Sequence, residues 1–382
     1  MIYLLVHYLY ESHWLQSHGL GFLRVFVNDT FQATAATVVS FAICLALGPR
    51  VIAWLRKQKI GDLATFDQAD IDELMKSKRG TPTMGGILII ASIVTTTVLL
   101  ADLANFYVKM ALVCTILLGG VGATDDWLKL TAGRRAGSRQ GLSTAEKLLF
   151  QIGLGVVLSI FTYRYGRLFP AATRLDLPFF KNGVAQLGIV SFVLLGTVVM
   201  TGSSNAVNLT DGLDGLASGC MAITAFTILI FALLVGDSAL SQYLGFPNIQ
   251  AAGQMAVLAG ATVGACLGFL WFNCNPARVF MGDTGSLAMG GLLGYIAVVI
   301  RQEFLLIFIG GIFVAEAISV LTQIGWFKFT RIRTGTGRRI FLMAPLHHHF
   351  QKKGWTENQV VVRFWLVGFM LAAMALATIK LR

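Results

Sequence analysis

Charge is scarce in this sequence. Of 382 residues only 13% are Asp, Glu, Lys or Arg, against 55% hydrophobic residues and a mean hydropathy of +0.71. That balance excludes an ordinary soluble globular domain and a disordered chain. Cysteine is also sparse: Cys44, Cys114, Cys220, Cys266 and Cys274 lie in or beside apolar runs without C-x-x-C spacing, which indicates neither a disulfide framework nor a zinc site. A P-loop is missing, since Gly335-Thr-Gly-Arg-Arg339 is too short and lacks the lysine placement. So is a calcium loop, which wants acids at alternate positions before a glycine. The first 28 residues lack a basic leader, and His7, Glu11 and His13 interrupt their apolar run; they read as an interfacial segment rather than a secretory signal.

What the chain has instead is a succession of apolar runs. At ~20 residues per crossing, spans fall near 31–49, 84–102, 106–124, 147–163, 186–204, 216–236, 253–272, 286–300, 304–326 and 359–379. The expected fold class is all-α: one polytopic bundle of about ten transmembrane helices using the whole chain, 1–382, with 1–30 at the interface. Net charge is +11, but the cations lie in short loops beside the spans, which argues for topology and against a nucleic-acid partner. Loops after odd-numbered spans carry most of them, so those loops are expected in the cytoplasm and both termini outside.

The same parity sorts the polar motifs. Lys78-Arg-Gly-Thr-Pro-Thr-Met-Gly-Gly86, Asp125-Asp126, the Asn205 to Gly215 segment, the Asn273 to Ser286 segment and Ala344-Pro-Leu-His-His-His349 all fall on odd loops. Connectors chosen for turn chemistry alone would appear on both faces, so five such loops on one face indicate an active site. Asp211 and Asp214 are three apart, which on a helix points both carboxylates one way beside Asn208. Gly212 and Gly215 would admit phosphate close to the backbone. Asp283, between glycines, reads either as a site acid or as the cap of span eight; its Asp-Thr-Gly-Ser string lacks the second copy an aspartic protease needs. Lys78, Lys129 and Lys147 are the cations nearest these loops. Contiguous His347, His348 and His349 suit hydrogen bonding to phosphate or hydroxyls better than chelation. Glu316 and Gln323, seven apart in span nine, share one inward face. Five aspartates without thiols suggest a hard cation that joins carboxylates to substrate phosphates, hence phosphoryl transfer between a soluble donor and a lipid.

At these motifs the chain resembles the bacterial phospho-N-acetylmuramoyl-pentapeptide transferases of the polyprenyl-phosphate N-acetylhexosamine-1-phosphate transferase superfamily. Gly80-Thr-Pro-Thr-Met-Gly-Gly86, Asp125-Asp126, Asn205 to Gly215, Phe280-Met-Gly-Asp-Thr-Gly-Ser286 and Met343 to Phe350 carry the likeness, with Thr356 standing where that family usually has proline. The resemblance implies transfer of phospho-N-acetylmuramoyl-pentapeptide from its UDP carrier to undecaprenyl phosphate, giving lipid I and UMP, in a bacterial inner membrane. It implies Mg2+ on Asp283, Asp125 nearest the lipid phosphate with removal of its proton as one option, support from Asp126, and Lys129 and Lys147 on phosphate charge. Substrate pockets would map onto Lys78, Thr83, Asn208, Asp211, Gly212, Leu213, Asp214, Asn273, Phe280, Gln323, His347, His348 and His349, with Phe280 stacking on uracil. Besides both substrates and the bilayer, a homodimer is among the assemblies this allows. Two alternatives stand beside it: a sister enzyme using UDP-GlcNAc, against which the His347 region argues, and an ion-coupled transporter, whose acids should lie near the bilayer midplane rather than at span ends.

Overall fold

Ten helical segments in the computed structural model match the expected spans in order. The structure describes residues 1–12, 14–18, 20–58, 80–132, 141–178, 180 and 185–380; Lys78 lies outside them. The helices that matter below are α1 (Ile2–Glu11), α2 (Asp29–Lys57), α3 (Gly86–Leu100), α4 (Phe106–Ala132), α5 (Thr144–Gly166), α6 (Ile189–Thr210) and α7 (Leu216–Gly236). They continue with α8 (Met255–Asn273), α9 (Gly282–Val299), α10 (Glu303–Ile309), α11 (Gly311–Thr334), α12 (Leu346–Lys352) and α13 (Glu357–Ala377). Among the described residues, eight helical stretches are long and apolar enough to cross a membrane. α3 is shorter, and the polar first turn of α9 dilutes its apolar run.

Three features depart from the expected spans. Span nine is broken: α10 ends at Gly310 and α11 restarts there, running on to Thr334. The histidines occupy a short helix, α12, rather than an irregular loop. A two-residue antiparallel ribbon pairs Arg174–Leu175 with Ala185–Gln186 at the end of the bundle away from the acids. Thr356, in contrast, has a local explanation: its hydroxyl accepts from the Gln359 N–H while Gln359 accepts from the Thr356 N–H, a capping box that starts α13.

Small residues set the packing. Gly260, Gly264 and Gly268 recur every fourth residue on α8, where any side chain would collide with Ala33, Thr37 or Cys44 of α2. That is the close helix approach expected where van der Waals packing rather than hydrophobic burial joins helices in lipid. α9 is the innermost helix, with every residue from Thr284 to Val299 buried. By contrast Leu321, Phe329 and Ile332 on α11 are exposed, as lipid-facing or interfacial positions are. α9 therefore offers a rigid mount, and its first turn carries Asp283.

Candidate active site

The start of α9 is shaped by its neighbours. Gly282 has φ +73°, and a Cβ there would lie 2.6 Å from Asp126 Oδ2 and 3.0 Å from Thr83 Oγ1. Only glycine brings the backbone in so close. Asp126, on α4, then accepts from the Asp283 N–H (3.1 Å), the Thr284 N–H (2.9 Å) and the Thr284 hydroxyl (2.6 Å). An acid from one helix thus satisfies the orphan N–H groups of another, favoured by charge at the positive helix end. Gly122, one turn before Asp126, lies so near the Asp283 carbonyl that a side chain would collide with it.

With α4 and α9 locked, the charged groups converge. Lys147 Nζ, in the first turn of α5, lies 2.7 Å from Asp125 Oδ2 and 2.6 Å from Asp283 Oδ2. Lys129 Nζ, one turn beyond Asp125, lies 2.7 Å from Asp125 Oδ2 and 3.3 Å from Asp283 Oδ2. Asn208, near the end of α6, donates to Asp283 Oδ1 and to the Ser286 hydroxyl, both at 2.9 Å. The Leu142 N–H closes the set by donating to Asp125 Oδ1 at 2.7 Å. Asp125 is fully buried, while the Asp283 side chain keeps 14% exposure and Lys129 46%.

Oxygens of Asp125, Asp126 and Asp283 lie within 4.8 Å of one another. An all-carboxylate set fits a hard divalent cation. Asp283 presents the most accessible oxygens of the three, whereas those of Asp126 already cap α9.

Asp211 and Asp214 do not point together as a helix would have had them. α6 ends at Thr210 and the chain turns. Asp211 faces the acid cluster, where burial, with Asp283 and Asp126 close by, pushes its carboxyl up to about 8 despite a hydrogen bond from the Gly282 N–H. Asp214 turns away and accepts from the Ala277 N–H and the Asn275 amide. Asn273 is equally committed: it accepts from the Gly215 N–H and the Ser218 hydroxyl and donates to the Val279 carbonyl. Together they tie the 211–215 turn to the loop before α9, with Leu213 buried beneath. Phe280 is half-buried, and its backbone pairs with Pro82 and Gly85.

His347 is brought to this region by α12. Its ring abuts Gly212, where a Cβ would collide with Nε2. Its Nδ1 and backbone N–H both reach Glu316 Oε1, at 3.1 and 3.2 Å, and both residues are buried. His348 pairs with Gln351 at 2.8 Å. His349 Nδ1 accepts from the Leu342 N–H, and desolvation with Lys353 nearby lowers its pKa. Gln323 uses its whole amide on backbone: Oε1 accepts from the Ile340 and Phe341 N–H groups and Nε2 donates to the Phe341 carbonyl. It shapes the 335–343 strap.

Comparison with known proteins points to one family. The model of glycosyl transferase family 4 matches residues 108–301, and phospho-N-acetylmuramoyl-pentapeptide-transferase signature 1 matches residues 78–90. A protein of that name from Desulfotalea psychrophila is 44% identical over 377 residues, covering 98% of this chain and 99% of its own length. Another, from Desulforapulum autotrophicum, is 44% identical over 380 residues, covering 99% and 100%. The chain belongs to the phospho-N-acetylmuramoyl-pentapeptide-transferase family.

Within the transferase, several supporting groups carried no sequence signal. The Leu142 N–H contacts Asp125 from a position unremarkable in type. Gln151 donates to Ser204 and accepts from Asn205, fixing α5 to α6 just below Lys147. Glu357 accepts from the Asp214 N–H. An inward-facing polar residue on an apolar span was the one available hint, and it does apply to Gln151.

Proposed function

We propose that the protein transfers phospho-N-acetylmuramoyl-pentapeptide from its UDP carrier to undecaprenyl phosphate, releasing UMP. An oxygen of the lipid phosphate attacks the β-phosphorus. A bond forms from that oxygen to phosphorus, and the bond to the bridging oxygen of UMP breaks. Lys147 carries this reading: one ammonium on α5 bridges acids from α4 and α9 at 2.7 and 2.6 Å. Such a pair of lysines facing open carboxylate is suited to receiving phosphate charge.

Asp283, with Asp125 and Asp126 beside it, would hold Mg2+, which when bound supplies charge neutralisation on the diphosphate. Asp125 is fully buried, with Oδ1 on the Leu142 N–H and Oδ2 on both lysines. Its role in this reading is to aim Lys129 and Lys147, not to remove a proton. A phosphate monoester with a second pKa of about 6 needs little help to ionise. His347, set by Glu316, would contact the donor beside Gly212. We further propose that this end of the bundle faces the cytoplasm of a bacterial inner membrane, supported by the bias of Lys and Arg towards its loops.

The deciding experiment gives purified protein undecaprenyl phosphate with either UDP-N-acetylmuramoyl-pentapeptide or UDP-GlcNAc, with Mg2+ or with chelator. Lipid product and UMP should appear only from the muramoyl donor and only with the metal. Product from UDP-GlcNAc alone would overturn the substrate assignment, and undiminished turnover in chelator would overturn the metal.

A further inference from the structure

The second half of α11 and the strap that follows it line an open cleft of about 350 Å3 to which the reading above gives no ligand, although Gln323 stands in it. Its floor is apolar, made by Val320, Phe327 and Met343, and Lys328 and Arg339 line it as well. The cleft is built rather than incidental. Gln323 grips the strap by three hydrogen bonds at Ile340 and Phe341. Thr330, seven residues on and so on the same helix face, accepts from the Arg338 N–H at 2.9 Å. Gly337 fits where a side chain would collide with the Phe327 ring. Such preformed concavity, mostly apolar with a few fixed charges, is what ligand sites have.

The charges are uncompensated. Lys328 and Arg339 are exposed, and among the described residues neither has a carboxylate at ion-pair distance. Between Glu316 and Glu357 the sequence holds Lys328, Arg331, Arg333, Arg338, Arg339, Lys352 and Lys353 and not one Asp or Glu. Orientation in a membrane asks for cations in a loop but not for two of them in one apolar cleft. Their complement is an extended ligand bearing carboxylates along a partly apolar backbone. The cleft also leads to the acid cluster: Ala344 lines it, and His347 beside Gly212 is three residues on, at most about 11 Å of extended chain.

We propose that this cleft receives the peptide arm of the donor, with Lys328 and Arg339 each reading a carboxylate on it. The inference rests on the muramoyl-pentapeptide donor named above. Both side chains are exposed, so their removal leaves the core intact, which an unchanged melting temperature verifies.

The test uses the full-length protein and measures Arg339→Gln, Lys328→Gln and the conservative Arg339→Lys and Lys328→Arg. Each neutral variant should raise KM for the pentapeptide donor about 10-fold, the loss of one charge-assisted contact, with kcat within about twofold. The conservative variants should keep most of the affinity. Peptide-free UDP-N-acetylmuramic acid, read by KM or as a competitive inhibitor, should bind all variants alike. An equal weakening with the peptide-free donor would overturn the proposal, since the cleft would then read nucleotide or sugar. A raised KM for the lipid phosphate instead would also overturn it, making the cleft an anionic-lipid site. Absence of any transfer by the wild type from the pentapeptide donor would overturn the functional reading itself and this inference with it.

Discussion

The two ends of the bundle both bury charge, and they do so in opposite ways. At the acid end, Asp125 and Asp283 share two ammonium groups while a third carboxylate, Asp126, lies beside them, and Asp283 and Lys129 stay partly open. At the other end Arg301 and Glu303 form one pair at 2.6 Å with both side chains 1% exposed. Arg301 also donates to the Arg174 carbonyl and lies over the Phe192 ring, while Gln302 donates to Asp176. The pair, with the Arg301 bond to the Arg174 carbonyl, pins the end of α9 to the ribbon. Buried charge alone therefore does not mark a site; acid in excess of its cations, opened at one edge, does.

The largest expected effect separates the ends by activity. Asp283→Asn should cut kcat by about three orders of magnitude or more, as removal of charge stabilisation at a reacting centre does, with a nearly unchanged melting temperature. Glu303→Gln should leave turnover per folded molecule within a few-fold. A fully active Asp283→Asn enzyme would erase the contrast.

Stability should run the other way. Arg301→Met leaves Glu303 buried without its partner and should cost about 3 to 5 kcal/mol, read as a lower midpoint in denaturing detergent. Adding Glu303→Leu should return much of it. A single variant as stable as wild type would show that the sealed pair holds nothing.

A smaller effect tests the lock between α4 and α9. Gly122→Ala meets the Asp283 carbonyl and should cost about 1 to 3 kcal/mol together with a fall in kcat as the acid shifts. Gly120→Ala, with nothing within 4 Å of its Cβ, should change neither. Equal behaviour would sever packing from catalysis. Asp126→Asn turns one of its two accepting oxygens into a donor that faces an N–H or hydroxyl and should lose about 1 to 3 kcal/mol of stability, with activity falling less than for Asp283→Asn.

These contrasts also explain what the sequence could and could not reveal. Hydrophobic runs of membrane length made the ten segments legible, and the motifs in their connections were enough to gather Asp125, Asp283, Lys129, Lys147 and Asn208 in advance. Glu316 and Gln323 share a face as their spacing requires. The break at Gly310-Gly311 was missed: a glycine pair is a turn signal, but this one lies inside an apolar run and the span was read straight through it. The divergence of Asp211 from Asp214 was missed because α6 stops one residue before the pair. Nor does spacing reveal that Asp126 is a cap, since its partners lie 157 and 158 residues away. Gln323 entered the substrate pockets through the resemblance alone; its place on an apolar span asks only for an inward partner, and its amide bonds the chain's own backbone.

The same separation has a consequence during synthesis. At roughly 5 to 20 residues per second, Asp125 and Asp126 enter the membrane on the order of ten seconds before α9 exists. Over that interval Asp125 has only local company, Lys129 one turn on and then Lys147. Asp126 has none of the α9 donors it will finally cap. The two lysines are thus the first counterions that Asp125 meets and they keep that contact in the finished fold, whereas Asp126 gains its donors only when α9 is inserted.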